Sequence, residues 1–460
     1  MTVADRKITI IGAGPTGLGA ASYLEESGAD WILLEQHSYP GGLSASFEAN
    51  GFTWDIGGHI YFSHYPEYDK FLDSVLPEAD WGNRSRNAFV NLSGDWVPYP
   101  FQNNIGRLCR EQSSECLKGL IRLYTQNIEP SRRNFKEFIL THFGEGICRL
   151  FMEPYNSKIW AHPLDSISTD WLGERVARVD LEQAIFNVLN PGKSESWGPN
   201  NTFRVPVKGG TGEIWRRCAE KLPAGQIHYL SKVEHIDAKQ RTVYAADGQG
   251  YAYSHLVNTM PLDSLIAVSN LDHLLNMARQ LDHTTVYVVG LGLRLPVTQM
   301  LKHKCWVYFP EEYCPFYRAT IFSNYSDANV PEGTWSLMLE VSASRFNPVD
   351  NASLIDRCIA ACVKTGMFRN SMDVVHTWSY CAEYGYPVPT LKRDSILEIL
   401  LTELEEYKIY SRGRFGAWKY EVGNMDHSYM QGREVARRIL HGSNEQTIHH
   451  PEQVNRARSR

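Results

Sequence analysis

The chain lacks several features that mark whole classes of protein. No stretch approaches 18 consecutive apolar residues, and the chain leads at once into a predicted strand, Lys7–Ile11, so we expect neither a membrane span nor a secretory signal. Its 9 cysteines form no CxxC pair and its 16 histidines form no HExxH motif, so we predict no metal and interpret the thiols as reduced, in a cytoplasmic protein. An excess of positive charge is also missing, because the chain has 46 Lys and Arg and 52 Asp and Glu. This balance argues against nucleic acid or an anionic membrane as a partner.

Apolar residues, by contrast, are plentiful. Of the 460 residues 43% are hydrophobic and 12% aromatic, which excludes a disordered protein; the length predicts roughly three domains. Residues 103–190 show apolar residues at helical spacing, and from about 205 short β-rich runs are typical of an antiparallel sheet. A final helix is predicted at Arg433–Leu440, ending at Gly442, and the polar tail after it is predicted to be disordered.

A glycine motif lies between the first predicted strand and the helix after it. Gly12, Gly14 and Gly17 form GxGxxG, in which two glycines let the backbone approach a pyrophosphate and the third lets the helix pack on the strand. Glu35 ends the second strand, where a carboxylate can accept both ribose hydroxyls and disfavours the 2′-phosphate of NADP. This context predicts a dinucleotide site; the alternative is a glycine-rich turn without a ligand.

Two further glycine pairs follow the second strand. Gly41 and Gly42 suit a long, extended FAD better than NAD, and Gly57-Gly58-His59 would bring backbone and one imidazole against the flavin ring. The alternative for His59 is a buried histidine that serves only the core.

Longer motifs carry a family resemblance. The segments GAGPTGLGAA, DIGGHIYFSHY, LFMEPYNSKIWA, CPFYRATIFSNYS and SRGRFGAWKYEVGNMDHSYM resemble UDP-galactopyranose mutases of the eukaryotic type, and the resemblance covers about residues 7–440. It implies a mixed α/β (α+β) fold with three domains. A Rossmann-like FAD-binding domain would be built from the discontinuous segments 1–85, 205–265 and 411–445. A helical bundle domain would span 103–190, an antiparallel β-sheet domain 86–102 with 266–410, and a disordered tail 446–460.

The resemblance also implies an activity. Members of this family interconvert the pyranose and furanose forms of UDP-galactose, with FAD active in its reduced state and N5 of the flavin attacking the anomeric carbon. The reductant would be NADPH or NADH, and the substrate would be a UDP-sugar. The role of the protein would be to supply galactofuranose for glycan biosynthesis. Two alternatives stay open: a mutase for another nucleotide sugar of the arabinopyranose, fucose or N-acetylgalactosamine type, and an amine-oxidase-like oxidoreductase. A nucleotide-sugar sensor without catalysis is a third reading of the same fold.

Substrate contacts are implied residue by residue. Arg175 and Arg318 match a pair of arginines that hold the diphosphate and, with His59, form the predicted catalytic set; without the motif each arginine would more simply be a salt bridge. The residues implied to contact the diphosphate, sugar and uracil are Phe62, Tyr99, Phe101, Gln102, Phe151, Asn156, Trp160, Asn200, Trp306, Tyr308, Tyr386 and Tyr420. Ordinary core packing is the alternative for the aromatic members.

Flavin contacts form a second set. The predicted residues are Gly12, Gly14, Pro15, Thr16, Gly17, Glu35, Gly41, Gly42, Leu43, Ser44, Gly57, Gly58, His59, Arg86, Val233, Gly423, Asn424, Asp426, Ser428 and Met430, with Gly209-Gly210 in another flavin segment. The stretch Leu189–Asn200, rich in Pro, Gly, Ser and Asn, is the predicted lid.

The chain departs from the family pattern at three places. Ala88 and Ser196 replace a serine and an asparagine of many relatives, and the longer insertion of fungal members is missing after Asn324-Tyr325-Ser326. A fungal-type tetramer is therefore not expected, and the oligomeric state is left open.

Overall fold

A computed structural model of the chain describes residues 7–173, 176, 179–190 and 202–456. Its strands are β1 Lys7–Ile11, β2 Trp31–Leu34, β3 Ser46–Ala49, β4 Phe52–Asp55, β5 Trp81–Ser85, β6 Ala88–Leu92, β7 Asp95–Pro98, β8 Thr202–Pro206, β9 Ile227–His228, β10 Val233–Asp237, β11 Thr242–Ala245, β12 Gly250–Asn258, β13 His283–Arg294, β14 Trp306–Tyr308, β15 Arg318–Thr320, β16 Thr334–Ala343, β17 Val374–Pro387 and β18 Ile409–Ser411.

The helices lie between these strands. They are α1 Pro15–Glu26, α2 Pro66–Val75, α3 Arg110–Thr125, α4 Phe135–Ile147, α5 Glu153–Trp160, α6 Leu181–Leu189, α7 Gly212–Glu220, α8 Leu262–Val268, α9 Asp272–Ala278, α10 Leu354–Lys364, α11 Arg393–Glu406, α12 Met425–His441, α13 Gln446–His449 and α14 Pro451–Val454. A π-helical turn, Cys148–Met152, joins α4 to α5.

The first sheet has the strand order β10-β11-β12-β1-β2-β9, with β18 also paired to β12. Strands β12, β1, β2, β9 and β18 run parallel, and apolar residues are buried on both faces, Ile10 on one and Leu34 on the other, as in sheets covered by helices. The strands β1, β2 and β12 therefore end at one edge, which is where open α/β sheets bind ligands.

Helices α1 and α12 pack closely against each other on this sheet. A Cβ at Gly19 would lie 2.3 Å from the carbonyl oxygen of Tyr429, and one at Gly432 would lie 1.9 Å from that of Thr16. Since no side chain fits at either position, the two glycines set how near the helices approach. This contact joins residues at the start and near the end of the chain into one core.

The second sheet has the order β17-β13-β16-β15-β14-β6-β7 and is antiparallel except where β14 pairs with β6. Tyr308 on β14 pairs with Arg318 on β15, and Arg318 pairs with Glu340 on β16. Directly paired residues of neighbouring strands share a face of the sheet. The register thus places a tyrosine, an arginine and a glutamate in one row across three strands.

The helical segment packs against the end of this sheet. Phe135, Ile139 and Ile147 of α4 are buried in one core with Phe101, Leu120 and Trp160. The π-helical turn follows α4 directly, and α5 after it carries Asn156 and Trp160 towards the interior. Across the part of the chain that the structure describes, no helix is both long and apolar enough to cross a bilayer.

Two expectations about chain organisation differ from the structure. Residues predicted to form a disordered tail fold as α13 and α14, because Glu445, Thr447 and Ile448 are buried against α12. Helices α9 and α11, predicted to belong with the antiparallel sheet, pack into the apolar core of the first sheet. The other domain limits stay predictions.

Buried ion pairs attach the C-terminal segment. Arg412 donates from Nε and Nη2 to Glu445 at 2.6 and 2.7 Å, and Nη2 also donates to Glu405 at 2.9 Å. Arg412 is 1% exposed and Glu445 2%. A charge in such surroundings is tolerated only with its partner.

We expect Glu445→Leu to destabilise the protein by about 3–5 kcal/mol, because it leaves a buried guanidinium without its main acceptor. The measurement is the free energy of unfolding from a urea titration followed by circular dichroism. Glu145→Leu, which removes an exposed pair with Arg122, is the matched control and should cost less than about 1 kcal/mol. Equal free energies of unfolding for the two variants would contradict the assignment.

Candidate active site

One cavity of about 1060 Å³ extends from the carboxyl edge of the first sheet to the face of the second sheet. Gly12, Gly14 and Glu35 line one end, and Phe151, Trp160 and Tyr308 line the other. Its volume slightly exceeds the ~300–1,000 Å³ usual for small-molecule sites. The cavity therefore has room for an extended ligand or for two ligands side by side.

The end at the first sheet is shaped by Glu35. Its carboxylate accepts hydrogen bonds from the backbone N–H of Ala13 at 2.6 Å and of His37 at 2.8 Å, and the residue is 5% exposed. These contacts tie the carboxylate to the glycine turn after β1 and hold it at the cavity wall. A carboxylate fixed there suits paired ribose hydroxyls.

The predicted glycine motifs meet at this end. A Cβ at Gly42 would lie 3.3 Å from Cα of Gly14, so the turn after β1 and the turn after β2 lie against each other. Gly12 has φ of +96°, and a Cβ at Gly17 would lie 1.8 Å from the carbonyl oxygen of Gly12. The protein itself thus requires glycine at Gly12 and Gly17.

Gly14 is different, because the protein leaves space beside it. Its φ is −76°, and a Cβ there would meet only Cα of Gly42, at 3.9 Å. The space lies in the cavity at the N-terminus of α1, whose backbone N–H groups and dipole favour an anion. This cradle fits the pyrophosphate of a dinucleotide.

The middle of the cavity is formed by the Gly57–His59 turn. Burial lowers the pKa of His59 to about 4, with Glu340 opposing and Arg318 and Arg414 adding to the shift, so the imidazole is neutral at physiological pH. Its Nδ1 is buried without a hydrogen-bond partner in the part of the chain that the structure describes. A buried polar atom in a cavity wall is a position where a ligand atom can bind.

Glu340 is the most connected side chain in the cavity. Its carboxylate accepts from Arg318 Nε and Nη2, both at 2.7 Å, from the Tyr317 hydroxyl at 2.7 Å and from the Gly58 backbone N–H at 3.0 Å. Burial raises the pKa of Glu340, but Arg318, Tyr317 and Gly58 together hold it below its ordinary value, so the carboxylate is charged. The arginine and the glycine turn are therefore fixed by one acceptor.

Arg318 keeps part of its guanidinium for the cavity. Nε and Nη2 are engaged by Glu340, whereas Nη1 makes no hydrogen bond to a described residue, and the side chain is 22% exposed. Its surroundings are otherwise tyrosines, among them Tyr308, Tyr317 and Tyr386. An oriented cation among hydroxyl groups is an arrangement that binds phosphate oxygens.

Aromatic rings line the far end of the cavity. Phe151 stacks between Phe101 and Tyr155, each with ring centroids 4.9 Å apart, and Tyr99 lies 5.1 Å from Tyr308. Gln102 lines the same wall. Flat apolar faces beside one amide can stack on a base and read its edge.

Most predicted site residues line this single cavity. They are Gly12, Gly14, Pro15, Thr16, Glu35, Gly42, Leu43, Ser44, Gly57, Gly58, His59, Phe62, Arg86, Tyr99, Gln102, Phe151, Asn156, Trp160, Val233, Trp306, Tyr308, Arg318, Tyr386, Tyr420, Gly423, Asn424, Asp426 and Ser428.

Other predicted residues do not line the cavity. Phe101 is fully buried behind Phe151, and Met430 lies in the core of the first sheet. Gly17 packs against Gly12 and Gly41 against Ala45, so both shape the glycine turns without lining the cavity. A Cβ at Gly210 would lie 2.4 Å from a carboxylate oxygen of Asp55, and Gly209 lines a small separate pocket, so this glycine pair shapes a turn elsewhere.

Some predictions fall outside the described residues. These are Arg175, Asn200, Ser196 and the predicted lid beyond Asn190. Ala88 is described; it is buried on β6 and pairs with Trp306.

Sequence reasoning missed three residues of the site. Glu340 is the one charged residue of the strand β16, and a lone acid in a buried apolar run was the available signal. Tyr155, which lines the cavity, lies one residue before the predicted Asn156. Arg414 donates to the Gly385 and Gly423 carbonyls and packs its guanidinium 5.1 Å from the Tyr386 ring centre.

His64, Asp426 and His427 form a buried group at the cavity wall. Within the described part of the chain their ligating atoms lie within 4.8 Å of one another, which is the spacing of a metal site. His64 Nδ1 and the His64 backbone N–H both contact the same Asp426 oxygen, at 2.7 and 3.1 Å. Burial raises the pKa of Asp426, but His427 and His64 lower it to about 2, so the group is a charged carboxylate between two imidazoles.

Comparison with known proteins places the chain in a class of flavoproteins. The family described as flavin containing amine oxidoreductase matches residues 15–440, and the chain belongs to it. A crystal structure of a reduced UDP-galactopyranose mutase is 44% identical, superposes with a TM-score of 0.95 and covers 99% of this chain and 98% of its own. Within the flavoprotein class, the chain is therefore a member of the UDP-galactopyranose mutase family, an isomerase.

More distant relatives share the fold or a segment. A fatty acid isomerase from P. acnes that produces CLA superposes with a TM-score of 0.65 at 15% identity, over 96% of this chain and 100% of its own, which shows the fold alone. A carotenoid 3,4-desaturase of Haloarcula japonica is 43% identical over 54 residues, or 12% of this chain. The matched stretch spans 11% of that desaturase.

We expect Gly14→Val to yield a folded protein without flavin, because the fold accepts a side chain there but the ligand cradle does not. The measurement is the ratio of flavin absorbance to protein absorbance after purification, together with circular dichroism. Gly225→Val is the control, since a Cβ at Gly225 meets nothing within 4 Å and lies outside the cavity. A Gly14→Val protein with the flavin content of the control would show that this glycine does not face the cofactor.

Proposed function

We propose that the protein interconverts UDP-galactopyranose and UDP-galactofuranose, using FAD in its reduced state. The observation that carries this proposal is the cavity itself, in which a glycine-lined end and an aromatic end meet at the Arg318 guanidinium, which Glu340 orients. An oxidoreductase acting on an amine or an alkene needs no such cation. A nucleotide sugar needs one for its diphosphate.

FAD would extend along the first half of the cavity. Glu35 would hold the adenosine ribose, the turns at Gly14 and Gly42 the pyrophosphate, and the Gly57–His59 turn the flavin ring. Residues from Gly423 to Ser428, at the N-terminus of α12, would contact the flavin from the other side. When bound and reduced, the flavin supplies a nucleophilic nitrogen for the anomeric carbon.

The UDP-sugar would occupy the second half. Tyr99 would stack on uracil, Phe151 would contact the base through its ring edge, and the Gln102 amide would bond the edge of the base. Arg318 Nη1 and the hydroxyls of Tyr308, Tyr386 and Tyr420 would hold the diphosphate, and Arg175 would add a second guanidinium. Asn156, Trp160 and Trp306 would surround the sugar.

Three features of the chain's own residues would assist the reaction. Arg318 is oriented before the substrate arrives, so no reorganisation is needed when negative charge develops on the leaving oxygen. The neutral His59 adds no positive charge beside the flavin, and its ring can accept or donate one hydrogen bond. Trp160, 1% exposed, and its aromatic neighbours keep water from the anomeric carbon.

The stoichiometry of reductant tests this function. Anaerobic enzyme with NADPH or NADH and UDP-galactofuranose should form many UDP-galactopyranose molecules for each nicotinamide oxidised, because substrate and product have the same oxidation state. Fully oxidised enzyme should be inactive. Product is measured by chromatography and the reductant by absorbance, and a panel of other UDP-pyranoses tests the sugar. One nicotinamide consumed per product would establish an oxidoreductase instead.

We expect Arg318→Ala to lower kcat/KM by roughly a hundredfold, since it removes a charge-assisted contact to the leaving diphosphate. Arg345→Ala, which removes an exposed arginine paired with Asp282, is the control and should keep wild-type activity. Flavin content is measured in parallel. Wild-type turnover in Arg318→Ala would remove this residue from the diphosphate site.

A further inference from the structure

Lys158 makes an unusual set of contacts on the side of α5 away from the cavity. Its Nζ donates to the backbone carbonyls of Phe309 at 2.7 Å, Glu311 at 3.1 Å and Phe316 at 2.7 Å. An ammonium group has three protons, so these bonds use its full donor capacity. All three acceptors belong to one short segment, residues 309–316.

This segment connects two strands that carry predicted substrate contacts. Tyr308 is the last residue of β14 and Arg318 the first of β15, and they pair directly across the turn. The same lysine lies on α5 between Asn156 and Trp160, which also line the cavity. Lys158 thus connects the two walls by one side chain.

Other contacts hold the segment without a hydrogen bond to α5. Phe309, Cys314 and Phe316 are buried in the core of the second sheet, the Ser93 backbone N–H donates to the Glu311 carboxylate, and the Tyr155 ring of α5 lies 5.1 Å from the Tyr308 ring. Within the segment, Phe309 also pairs with Tyr317 through its backbone N–H at 3.0 Å, and Cys314 with Glu311 at 3.2 Å, but both contacts lie inside the β14–β15 connection. They close the turn without fixing its place relative to α5. Among the described contacts, Lys158 supplies the hydrogen bonds that join α5 directly to residues 309–316.

We propose that Lys158 is a positioning residue that sets the distance between the α5 wall and the Tyr308–Arg318 wall of the substrate cavity. The proposal rests on the proposed function, because it assigns both walls to one substrate. A displacement on the order of 1 Å at a reacting centre can cost roughly a hundredfold in rate. A side chain outside the cavity that fixes this distance therefore has a measurable effect on the rate of the reaction inside it.

Electrostatics give the contact a distinct pH range. Burial lowers the pKa of Lys158 to about 8, opposed by Cys314, Glu311 and Cys358, which are the titratable groups facing it from the connecting segment and from α10. Above pH 8 the amine has lost a proton and can donate to only two carbonyls. The hold on the segment should therefore weaken as pH rises from 7 to 9.

The test compares Lys158→Met with Lys158→Arg. Methionine keeps the apolar stem and removes every donor, whereas arginine keeps the charge and several donors at all accessible pH values. Lys136→Met is the matched control, because Lys136 also contacts α5, through Glu153 at 3.1 Å, but is 54% exposed. Flavin content and circular dichroism establish that each variant is folded.

The first readout is hydrogen exchange of peptides covering 309–317, corrected for the intrinsic pH dependence of exchange. We expect Lys158→Met to exchange at least tenfold faster there than the Lys136→Met control, and wild type to lose protection between pH 7 and 9 while Lys158→Arg does not. This readout needs no substrate. Unchanged exchange in Lys158→Met would overturn the proposal even if the mutase activity is established.

The second readout is steady-state kinetics with UDP-galactofuranose. We expect kcat/KM to fall at least tenfold in Lys158→Met, to recover in large part in Lys158→Arg, and to stay within twofold of wild type in Lys136→Met. Faster exchange of 309–317 without any change in kcat/KM would show that the contact is structural only, which also overturns the proposal. If wild type lacks mutase activity, the proposed function fails, and exchange still decides whether Lys158 holds the segment.

Discussion

The site depends on a carboxylate buried in the middle of an apolar strand. Glu340 is 2% exposed, and a charge at that depth is stable only because Arg318, Tyr317 and Gly58 supply four hydrogen bonds. Removing one partner of such a pair costs about 3–5 kcal/mol, so each group holds the others in place. An arginine of β15 and a glycine turn near the N-terminus are thereby fixed relative to each other.

This arrangement explains how the protein itself holds an arginine of the cavity wall in one orientation. A guanidinium in low-dielectric surroundings needs a counter-charge, and the buried Glu340 carboxylate provides it. Because Nε and Nη2 are bound to the carboxylate, the donors of Nη1 have little freedom to reorient. A lysine in place of Arg318 would supply the positive charge but not the two parallel hydrogen bonds. One ammonium group cannot bond both carboxylate oxygens and keep a defined direction for a ligand.

Sequence patterns can single out residues that share one local motif. Gly12, Gly14 and Glu35 all line one end of the cavity, and they lie within one strand–turn–helix–strand unit of the sequence. Glu340 could not be singled out in this way, because its partners lie 22 and 282 residues away. The start of α12 at Met425, eight residues before the predicted start, was hidden because its buried face includes Asp426, His427 and Gly432 in place of apolar residues. The segment after Ser443 was misread for a similar reason, since Glu445 is buried by ion pairs that composition does not reveal.

The two halves of the cavity are built on different principles. The cavity end at the first sheet depends on backbone geometry, which is set by glycine turns and one carboxylate. A cofactor site of this kind is compatible with any chemistry that a flavin supports. The second half depends on side chains that join separate segments: Glu340 joins β16 to the Gly57–His59 turn, and Lys158 joins α5 to the β14–β15 connection. A change of side chain at Glu340 or Lys158 would therefore alter the second half of the cavity, whereas the turns at Gly12 and Gly42 keep their geometry through the backbone.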